Sequence, residues 1–432
     1  MAATNGDTMR SRWRTVMWLA ACLVVLAGVA WWFARPRPID ALASVPVVSP
    51  QSEPARRGAV LAAAGDCMVC HTARNGSPYA GGRPLATPFG AIESTNITPD
   101  PDTGIGRWSV EAFARAMRRG ISRDGHHLYP AFPYPHFTKL SDADIAALYA
   151  FLMSRRPAVA PPPRNHLAFP FDHRPLVAFW NLLFLHEGPQ PPDPARPADW
   201  NRGRYLVDAL GHCGACHTPM NQLGAEQSSH AFRGGLIDGW DAPALNALNS
   251  GGSGAPRWTA SELADYLHDG FSSAHGAAAG PMRPVTDSLR QVPRAEVEAI
   301  AAYLMSLDPG PAAPPSPAPG PRSLAPNPLF EGACASCHAA GSPMQIAGAR
   351  PPLSNATSLH AGSPRNAVRM ILDGNGWDGS HGAYYMPGFA NLLTDEQIAQ
   401  LARYVHDRHG SGQSWPDLDA AYVARLRKET AP

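Results

Sequence analysis

The chain has 432 residues, enough for about two to four domains, and a formal net charge of +1. This balance of charge gives no reason to expect a nucleic-acid partner. Charged residues make up 16% of the chain, below the roughly 25% typical of soluble domains. Such a low charge suits domains that pack on one another, on a membrane and on a partner.

The first predicted element is an uncharged run at residues 15–34. At ~1.5 Å per helical residue it would cover ~30 Å, the thickness of one hydrocarbon core. Arginines precede the run and favour a cytoplasmic N-terminus. We therefore expect residues 1–40 to form a membrane anchor. A cleaved signal peptide ending near residues 41–43 is the rival, and residues 19–22 are also similar to a lipoprotein processing site.

Three copies of Cys-x-x-Cys-His follow, and this is the attachment signature of c-type haem. Two thiols on one turn can each form a thioether to the same porphyrin, and the next His then lies under the iron. A zinc site or a redox dithiol would also use Cys-x-x-Cys, but three copies that use six of the seven cysteines favour haem. The predicted thioethers are at Cys67 and Cys70, Cys213 and Cys216, and Cys334 and Cys337, with His71, His217 and His338 on iron.

Each copy is expected to lie in its own class I cytochrome c domain, because each is followed by an amphipathic helix, at residues 141–154, 293–306 and 394–406. The first and last helices of such a domain cross at a glycine and an aromatic residue, and Gly58 with Tyr149 and Gly203 with Tyr303 fit this pattern. The sequence therefore predicts an all-α chain, in which one N-terminal transmembrane helix precedes three tandem class I cytochrome c domains.

Proline-rich stretches mark the domain boundaries and are typical of semi-rigid linkers. The first stretch contains an apolar run at residues 175–185, which is too short to span a bilayer. This run is either a strap between domains or a surface that meets a membrane or a partner. The predicted segments are domain 1 at 50–157, a linker at 158–199, domain 2 at 200–308, a linker at 309–327, domain 3 at 328–412 and a tail at 413–432.

The sixth iron ligands are predicted from a common register. In each domain a glycine is expected to end a middle helix. Counting twelve residues on from these glycines, Gly120, Gly270 and Gly374, leads to Phe132, Met282 and Met386. Thioether sulfur is a soft, neutral donor that favours ferrous iron. We therefore predict Met282 and Met386 as ligands of haems 2 and 3.

Haem 1 is the exception, because Phe132 has no donor atom. The nearby candidates are His126, His127 and His136. His136 lies four residues after Phe132, so a small shift of the loop would present its imidazole to the iron. We predict His136 as the sixth ligand, with His127 and an open coordination site as the alternatives.

At this point the chain resembles the multihaem cytochrome c subunit of bacterial membrane-bound dehydrogenases, the alcohol and gluconate dehydrogenase cytochrome family. The resemblance covers nearly everything after residue 50. It is most specific at residues 86–90 (Ala-Thr-Pro-Phe-Gly), 94–99 (Ser-Thr-Asn-Ile-Thr-Pro), 103–109, 201–206, 210–219 and 386–389 (Met-Pro-Gly-Phe).

That family has Met where this chain has Phe132. A related branch has Phe there, with a His at the position of His136, and accompanies molybdenum hydroxylases that act on aldehydes or N-heterocycles such as nicotinate. The resemblance implies three covalent haem c groups and a dehydrogenase partner of molybdopterin/iron–sulfur, quinoprotein or flavin type. It also implies ubiquinone or an oxidase as acceptor, and haem domains on the periplasmic side of the inner membrane.

No nucleophile–base pair or phosphate-binding loop is needed for this function, so no catalytic residue is predicted. Two alternatives belong to other classes. An open haem 1 would make the chain a haem enzyme that acts on peroxide or a gas. The chain could also be a c-type subunit of a terminal oxidase, although no copper motif supports this.

Overall fold

The computed structural model describes residues 13, 16–18, 36–249, 256–309, 325–342, 344, 352–379, 382–410 and 414–429. Three helical units, numbered 1 to 3, follow one another along these residues. Helices account for 44% of the chain and strands for 8%, so the all-α prediction is wrong. The strands are two to five residues long, too short to show an alternation of apolar and polar residues in the sequence.

Unit 1 begins and ends with capped helices. The side chains of Ser52 and Ser141 each accept a hydrogen bond from the first turn of the helix that follows. Between these helices lies an antiparallel hairpin joined by a third strand from the linker. The elements are α1 (Glu53–Ala64), α2 (Cys67–Cys70), β1 (Pro84–Thr87), β2 (Gly90–Glu93), α3 (Val110–Arg119), α4 (Tyr134–Phe137), α5 (Asp142–Met153) and β3 (His166–Leu167).

Unit 2 repeats this plan after a linker helix. A five-residue π-helix at Leu206–Leu210 extends the helix Ala198–Tyr205, the first of the unit after the linker helix. The side chain of Thr259 caps the middle helix in a reciprocal capping box with Glu262. The elements are α6 (Leu176–Phe184), α7 (Ala198–Tyr205), α8 (Gly214–His217), β4 (Gly235–Ile237), β5 (Trp240–Ala242), α9 (Ala260–Asp269), β6 (Phe271–Ser272), β7 (Gly276–Ala277), α10 (Met282–Leu289) and α11 (Arg294–Met305).

Unit 3 has a shorter first helix and an additional last one. A capping box of Thr394 with Gln397 starts its long helix. Residues predicted as a tail form a helix that packs on this unit, with Val423 and Leu426 fully buried. The elements are α12 (Pro328–Ala333), α13 (Ala335–His338), α14 (Arg365–Asp373), β8 (Asn375–Gly379), β9 (Gly382–Met386), α15 (Asp395–His409) and α16 (Ala420–Glu429).

Two glycines allow the first and last helices of units 1 and 2 to cross closely. A β-carbon on Gly58 or Gly203 would collide with a backbone carbonyl of the crossing helix. Gly203 lies against Tyr303, as predicted. In unit 1 the aromatic residue at the crossing is Phe151, not Tyr149, whose hydroxyl donates to the carbonyl of Trp108.

The linker helix α6 lies across units 1 and 2 with one face outward. Trp180 Nε1 donates to the carbonyl of Leu223 at 2.9 Å, while the side chain of Val177 is buried. Leu182 and Leu183 point away and are 82% and 62% exposed. The apolar run thus forms a strap between units 1 and 2 that also presents apolar side chains to its surroundings.

Units 1 and 2 share one hydrophobic core, whereas unit 3 has its own. The shared core combines side chains such as Leu61 and Leu148 from unit 1 with Leu206 and Ile300 from unit 2. The core of unit 3 is a separate cluster around the fully buried Leu418. Units 1 and 2 therefore form one packed body, to which unit 3 is joined.

The prediction of a transmembrane helix also needs correction. Within the described part of the chain, no helix has both the length and the apolar character needed to cross a membrane. The run predicted as an anchor, residues 15–34, lies outside the described residues apart from 16–18.

Candidate haem-attachment sites

The three Cys-x-x-Cys-His segments fold in the same way. In each, the backbone N–H of the His donates to the carbonyl of the first Cys four residues earlier, at 2.9–3.0 Å. One helical turn therefore carries both thiols and places the His directly after them. The six thiols are free cysteines, which is the state that thioether formation requires. We call these segments attachment turns 1, 2 and 3.

The His residues of attachment turns 1 and 2 are held by their inner nitrogens. Nδ1 of His71 lies 2.7 Å from the carbonyl oxygen of Thr95, and Nδ1 of His217 lies 2.7 Å from that of Pro243. A carbonyl can only accept, so Nδ1 carries the proton and Nε2 carries the lone pair that binds a metal. Burial lowers the pKa of both imidazoles, which keeps them neutral. These two residues fit the role of proximal iron ligands.

The same turns do not fit zinc or redox chemistry. Burial raises the pKa of Cys67 to about 12 and that of Cys70 to about 11, and it raises the pKa values of Cys213 and Cys216 to about 12. Reactive dithiols need thiolates, which form where the thiol pKa is lowered. Among the described residues, no group of three or more His, Cys, Asp or Glu side chains could hold a metal ion. Haem thioethers are the chemistry that these turns suit.

The register used to predict the sixth ligands is present in the fold. Gly120, Gly270 and Gly374 follow directly after α3, α9 and α14, with φ angles of 60°, 74° and 71°. A positive φ favours glycine at all three positions, but only Gly120 and Gly270 share the left-handed helical conformation, whereas Gly374 has a ψ angle of −173°. Met282 is the first residue of α10 and Met386 the last of β9. Both are half-buried beside a hydrophobic core, and their roles as ligands stay predictions.

Phe132 fills the corresponding position in unit 1. Its ring lies 5.5 Å from the ring of Phe137 and 6.2 Å from that of Tyr134, measured between centroids. The side chain packs against the shared core and brings no donor atom. Any sixth ligand of haem 1 must therefore come from another residue.

His136 is hydrogen-bonded to unit 2 through both of its ring nitrogens. Its Nδ1 lies 2.8 Å from the carbonyl oxygen of Asp208, and its Nε2 lies 2.5 Å from Oε1 of Glu226. The ring is buried, and both of its nitrogens face acceptors from unit 2. Binding of haem 1 by His136, which stays a prediction, would require one of these contacts to break.

The two other histidine candidates differ from each other. Nδ1 of His126 lies 2.6 Å from Oδ1 of Asp124 and 3.0 Å from Oγ of Ser122. Nδ1 of His127 is buried and has no hydrogen-bond partner within the residues that the structure describes. Burial also lowers the pKa of His127, so the ring is neutral. His127 therefore has an unengaged nitrogen that suits a ligand or a partner of the haem.

The residues just before attachment turns 1 and 2 were missed by sequence reasoning. Asp66 and His212 each precede the first Cys of a turn, and each makes a hydrogen bond into the other unit. Their partners are 222 and 147 residues away in the chain. No local pattern predicts contacts at such separations.

The cytochrome c family matches this chain at residues 55–156, 201–308 and 327–408, and the chain belongs to that family. Each matched region contains one attachment turn, so the chain carries three haem c attachment sites, as predicted. The predicted resemblance to cytochrome c subunits of dehydrogenases is likewise confirmed.

Three relatives extend this result. The chain is 46% identical over 450 residues to a subunit of nicotinate dehydrogenase from Pseudomonas putida, covering 99% of this chain but only 36% of that protein. It is 37% identical over 415 residues to the fructose dehydrogenase cytochrome subunit of Gluconobacter japonicus, covering 87% and 83% of the two chains. A diheme cytochrome c-type protein of Cereibacter sphaeroides is 36% identical over 293 residues, covering 65% of this chain and 94% of that protein.

Proposed function

We propose that this chain is the trihaem electron-transfer subunit of a dehydrogenase. It takes electrons from a catalytic subunit and passes them to ubiquinone or a downstream oxidase. The observation that carries the proposal is the threefold attachment turn, in which His71 and His217 are oriented by a backbone carbonyl and kept neutral by burial. The similarity to dehydrogenase cytochrome subunits along most of the chain supports it.

The chain's own residues supply binding, orientation and shielding. The two thiols of each turn would hold the porphyrin, and the Nδ1 bonds of His71 and His217 fix the direction of Nε2. When bound, each haem supplies an iron that takes up and releases one electron. Met282 and Met386 would offer sulfur as the sixth ligands of haems 2 and 3, and their partial burial supports a role in shielding those irons from water.

The proposed partner is a molybdopterin and iron–sulfur enzyme, in preference to a quinoprotein or a flavin enzyme. Two observations support this choice. One is the relative named as part of a nicotinate dehydrogenase, at 46% identity. The other is Phe132, because the resemblance to the alcohol and gluconate dehydrogenase cytochromes implies Met at this position. The substrate would then be an aldehyde or an N-heterocycle.

The proposed location of the haem units is the periplasmic side of the bacterial inner membrane. Haem is attached to c-type cytochromes outside the cytoplasm, so a chain with three attachment turns must be exported. A quinone acceptor would also require the haem units to lie close to the membrane surface.

Two measurements test this function. Intact-mass spectrometry of the matured protein should show three haem additions, and a Cys334→Ser/Cys337→Ser variant should show two. The catalytic subunit that co-purifies with the chain should contain molybdopterin and should reduce the haems when an aldehyde or N-heterocyclic substrate is added. Co-purification with a quinoprotein or flavin enzyme would contradict the proposed partner.

A second candidate function rests on Phe132 and His136. Phe132 has no donor, and both nitrogens of His136 are engaged, which favours an open haem 1 that binds a small ligand. In that case carbon monoxide should change the optical spectrum of one reduced haem in three. A spectrum unaffected by carbon monoxide would exclude this candidate.

A further inference from the structure

Attachment turns 1 and 2 begin with an unusual backbone conformation. Asp66, just before Cys67, has φ 54°, and His212, just before Cys213, has φ 39°. Non-glycine residues adopt this left-handed region uncommonly, at a cost in free energy. Ala333 at the corresponding position of attachment turn 3 ends α12 with an ordinary helical conformation. The strained conformation therefore belongs to turns 1 and 2.

Each of these strained residues is held by a bond into the other unit. Oγ of Ser288, in unit 2, donates to Oδ1 of Asp66 at 2.6 Å. Nε2 of His212 lies 3.3 Å from the carbonyl oxygen of Gly65, in unit 1, and donates to it. The Asp66 bond joins the start of attachment turn 1 to α10 of unit 2. The His212 bond joins the residues that directly precede attachment turns 1 and 2, and it holds these two turns against each other.

The π-helix in unit 2 positions His212. The segment Leu206–Leu210 has one more residue per turn than an α-helix would, and it ends with the N–H of Gly211 donating to Leu206 at 2.6 Å. Such bulges are frequent at functional sites. Unit 1 has an ordinary α-helix, α1, at the corresponding place. The extra residue rotates the chain just before His212, which then reaches Gly65.

We propose that His212 is a positioning residue that holds attachment turns 1 and 2 in contact, so that electrons pass directly between haems 1 and 2 through these turns. This proposal rests on the proposed electron-transfer function and adds a route to it. One electron leaves the reduced haem and enters the oxidised haem, with no bond made or broken and no further reactant.

The physical reason is the continuity of the path. Electron tunnelling weakens less along covalent and hydrogen bonds than across an empty gap. From the thioether of Cys67 the path runs along the backbone to Gly65, crosses the hydrogen bond to Nε2 of His212 and reaches Cys213 one residue later. Without the hydrogen bond, this path would have to cross a gap between Gly65 and His212.

The test compares three variants of the complete, haem-loaded chain. His212→Gln keeps an N–H donor at a similar reach, whereas His212→Leu has a similar size but no donor. His230→Gln is the control, because His230 is exposed in the same unit. After flash reduction with less than one electron per chain, freeze-quenched electron paramagnetic resonance follows the redistribution of the electron between haems 1 and 2.

We expect redistribution to slow several-fold in His212→Leu and to stay near the parent rate in His212→Gln and His230→Gln. Redox titration should give unchanged potentials for the individual haems in all three. A parent-like rate in His212→Leu, or an equally slow rate in His212→Gln, would overturn the proposal.

Two further points keep the test decisive. If His212→Leu does not mature, His212→Asn replaces it, because Asn tolerates φ near 39° but its amide is too short to reach Gly65. A parent-like rate in that variant would overturn the proposal. Flash reduction needs no dehydrogenase, so a failure to find the proposed partner leaves this result unaffected.

Discussion

At the residue scale, the spacing from the helix-ending glycines predicts Met282 and Met386 as iron ligands, and this prediction can be tested. We expect Met282→Ala and Met386→Ala each to lower the potential of one haem, because a lost thioether no longer favours ferrous iron. Axial ligands act over roughly 0.8 V among haem proteins, so the change should be measurable by redox titration. Met220→Ala is the control, since Met220 is 44% exposed. An unchanged titration for Met282→Ala would show that the register selects the wrong residue.

The contacts of His136 give a second prediction at this scale. The sequence predicts that His136→Gln removes a bis-histidine signal of haem 1. The hydrogen bonds of both His136 nitrogens to unit 2 instead lead us to expect an unchanged electron paramagnetic resonance signal. The variant should instead destabilise the body formed by units 1 and 2 by about 1–2 kcal/mol, since Glu226 loses its partner. His127→Gln is the companion variant. It tests whether His127, whose Nδ1 has no hydrogen-bond partner among the described residues, is a ligand of haem 1. Loss of a bis-histidine signal in His136→Gln would confirm the ligand predicted from the sequence.

The sequence could identify the attachment residues because their chemistry is local. Cys67, Cys70 and His71 lie within five consecutive residues, so one helical turn is enough to bring them together. The environment of His136 could not be predicted in this way. Its partners come from Asp208 and Glu226, which only the packing of two units places beside it.

At the scale of the elements, the closing helices were predictable and the hairpins were not. The helix predicted at residues 141–154 is Asp142–Met153, and that predicted at 293–306 is Arg294–Met305. Apolar periodicity defines both helices, and the cap by Ser141 also marks the start of the first. Hairpins such as Phe271–Ser272 with Gly276–Ala277 are held by two residue pairs. Their conformation depends on the helices around them more than on their own sequence.

Helix crossing gives a prediction at this scale. Replacing glycine with alanine inside a helix normally stabilises it by about 0.5–1 kcal/mol. At Gly203 the added β-carbon would collide with α11, so Gly203→Ala should destabilise unit 2 by about 1–3 kcal/mol. Gly332→Ala in α12 is the matched control, because a β-carbon there meets no atom within 4 Å.

Thermal unfolding of the haem-loaded protein measures both glycine variants. The midpoint should fall for Gly203→Ala and stay level or rise for Gly332→Ala. Equal midpoints in the two variants would mean that the crossing of α7 and α11 can open without cost.

At the scale of the whole molecule, three similar units form two bodies of unequal size. The repeat in the sequence predicts three equivalent domains, but it does not show which of them share a core. Units 1 and 2 merge because Tyr205 of unit 2 donates to Asp144 of unit 1 at 2.6 Å and their apolar faces meet. Unit 3 joins unit 2 through polar contacts, such as Asn366 with the backbone of Asp241. Which units share a core depends on complementary surfaces. The residues of these surfaces come from distant parts of the chain, so no local pattern in the sequence shows them.

This division predicts how the molecule unfolds. Leu148 lies in α5 of unit 1 and is 2% exposed in the shared core, whereas Leu401 is 2% exposed in the core of unit 3. Truncating a buried leucine to alanine costs about 2–5 kcal/mol, and the loss is felt throughout the cooperative unit that contains it. Leu148→Ala should therefore accelerate hydrogen exchange in the closing helices of both unit 1 and unit 2, α5 and α11, and leave α15 protected. Leu401→Ala should accelerate exchange in α15 alone. Hydrogen-exchange mass spectrometry of the haem-loaded chain separates these helices, and faster exchange of α5 without α11 in Leu148→Ala would show that units 1 and 2 unfold independently.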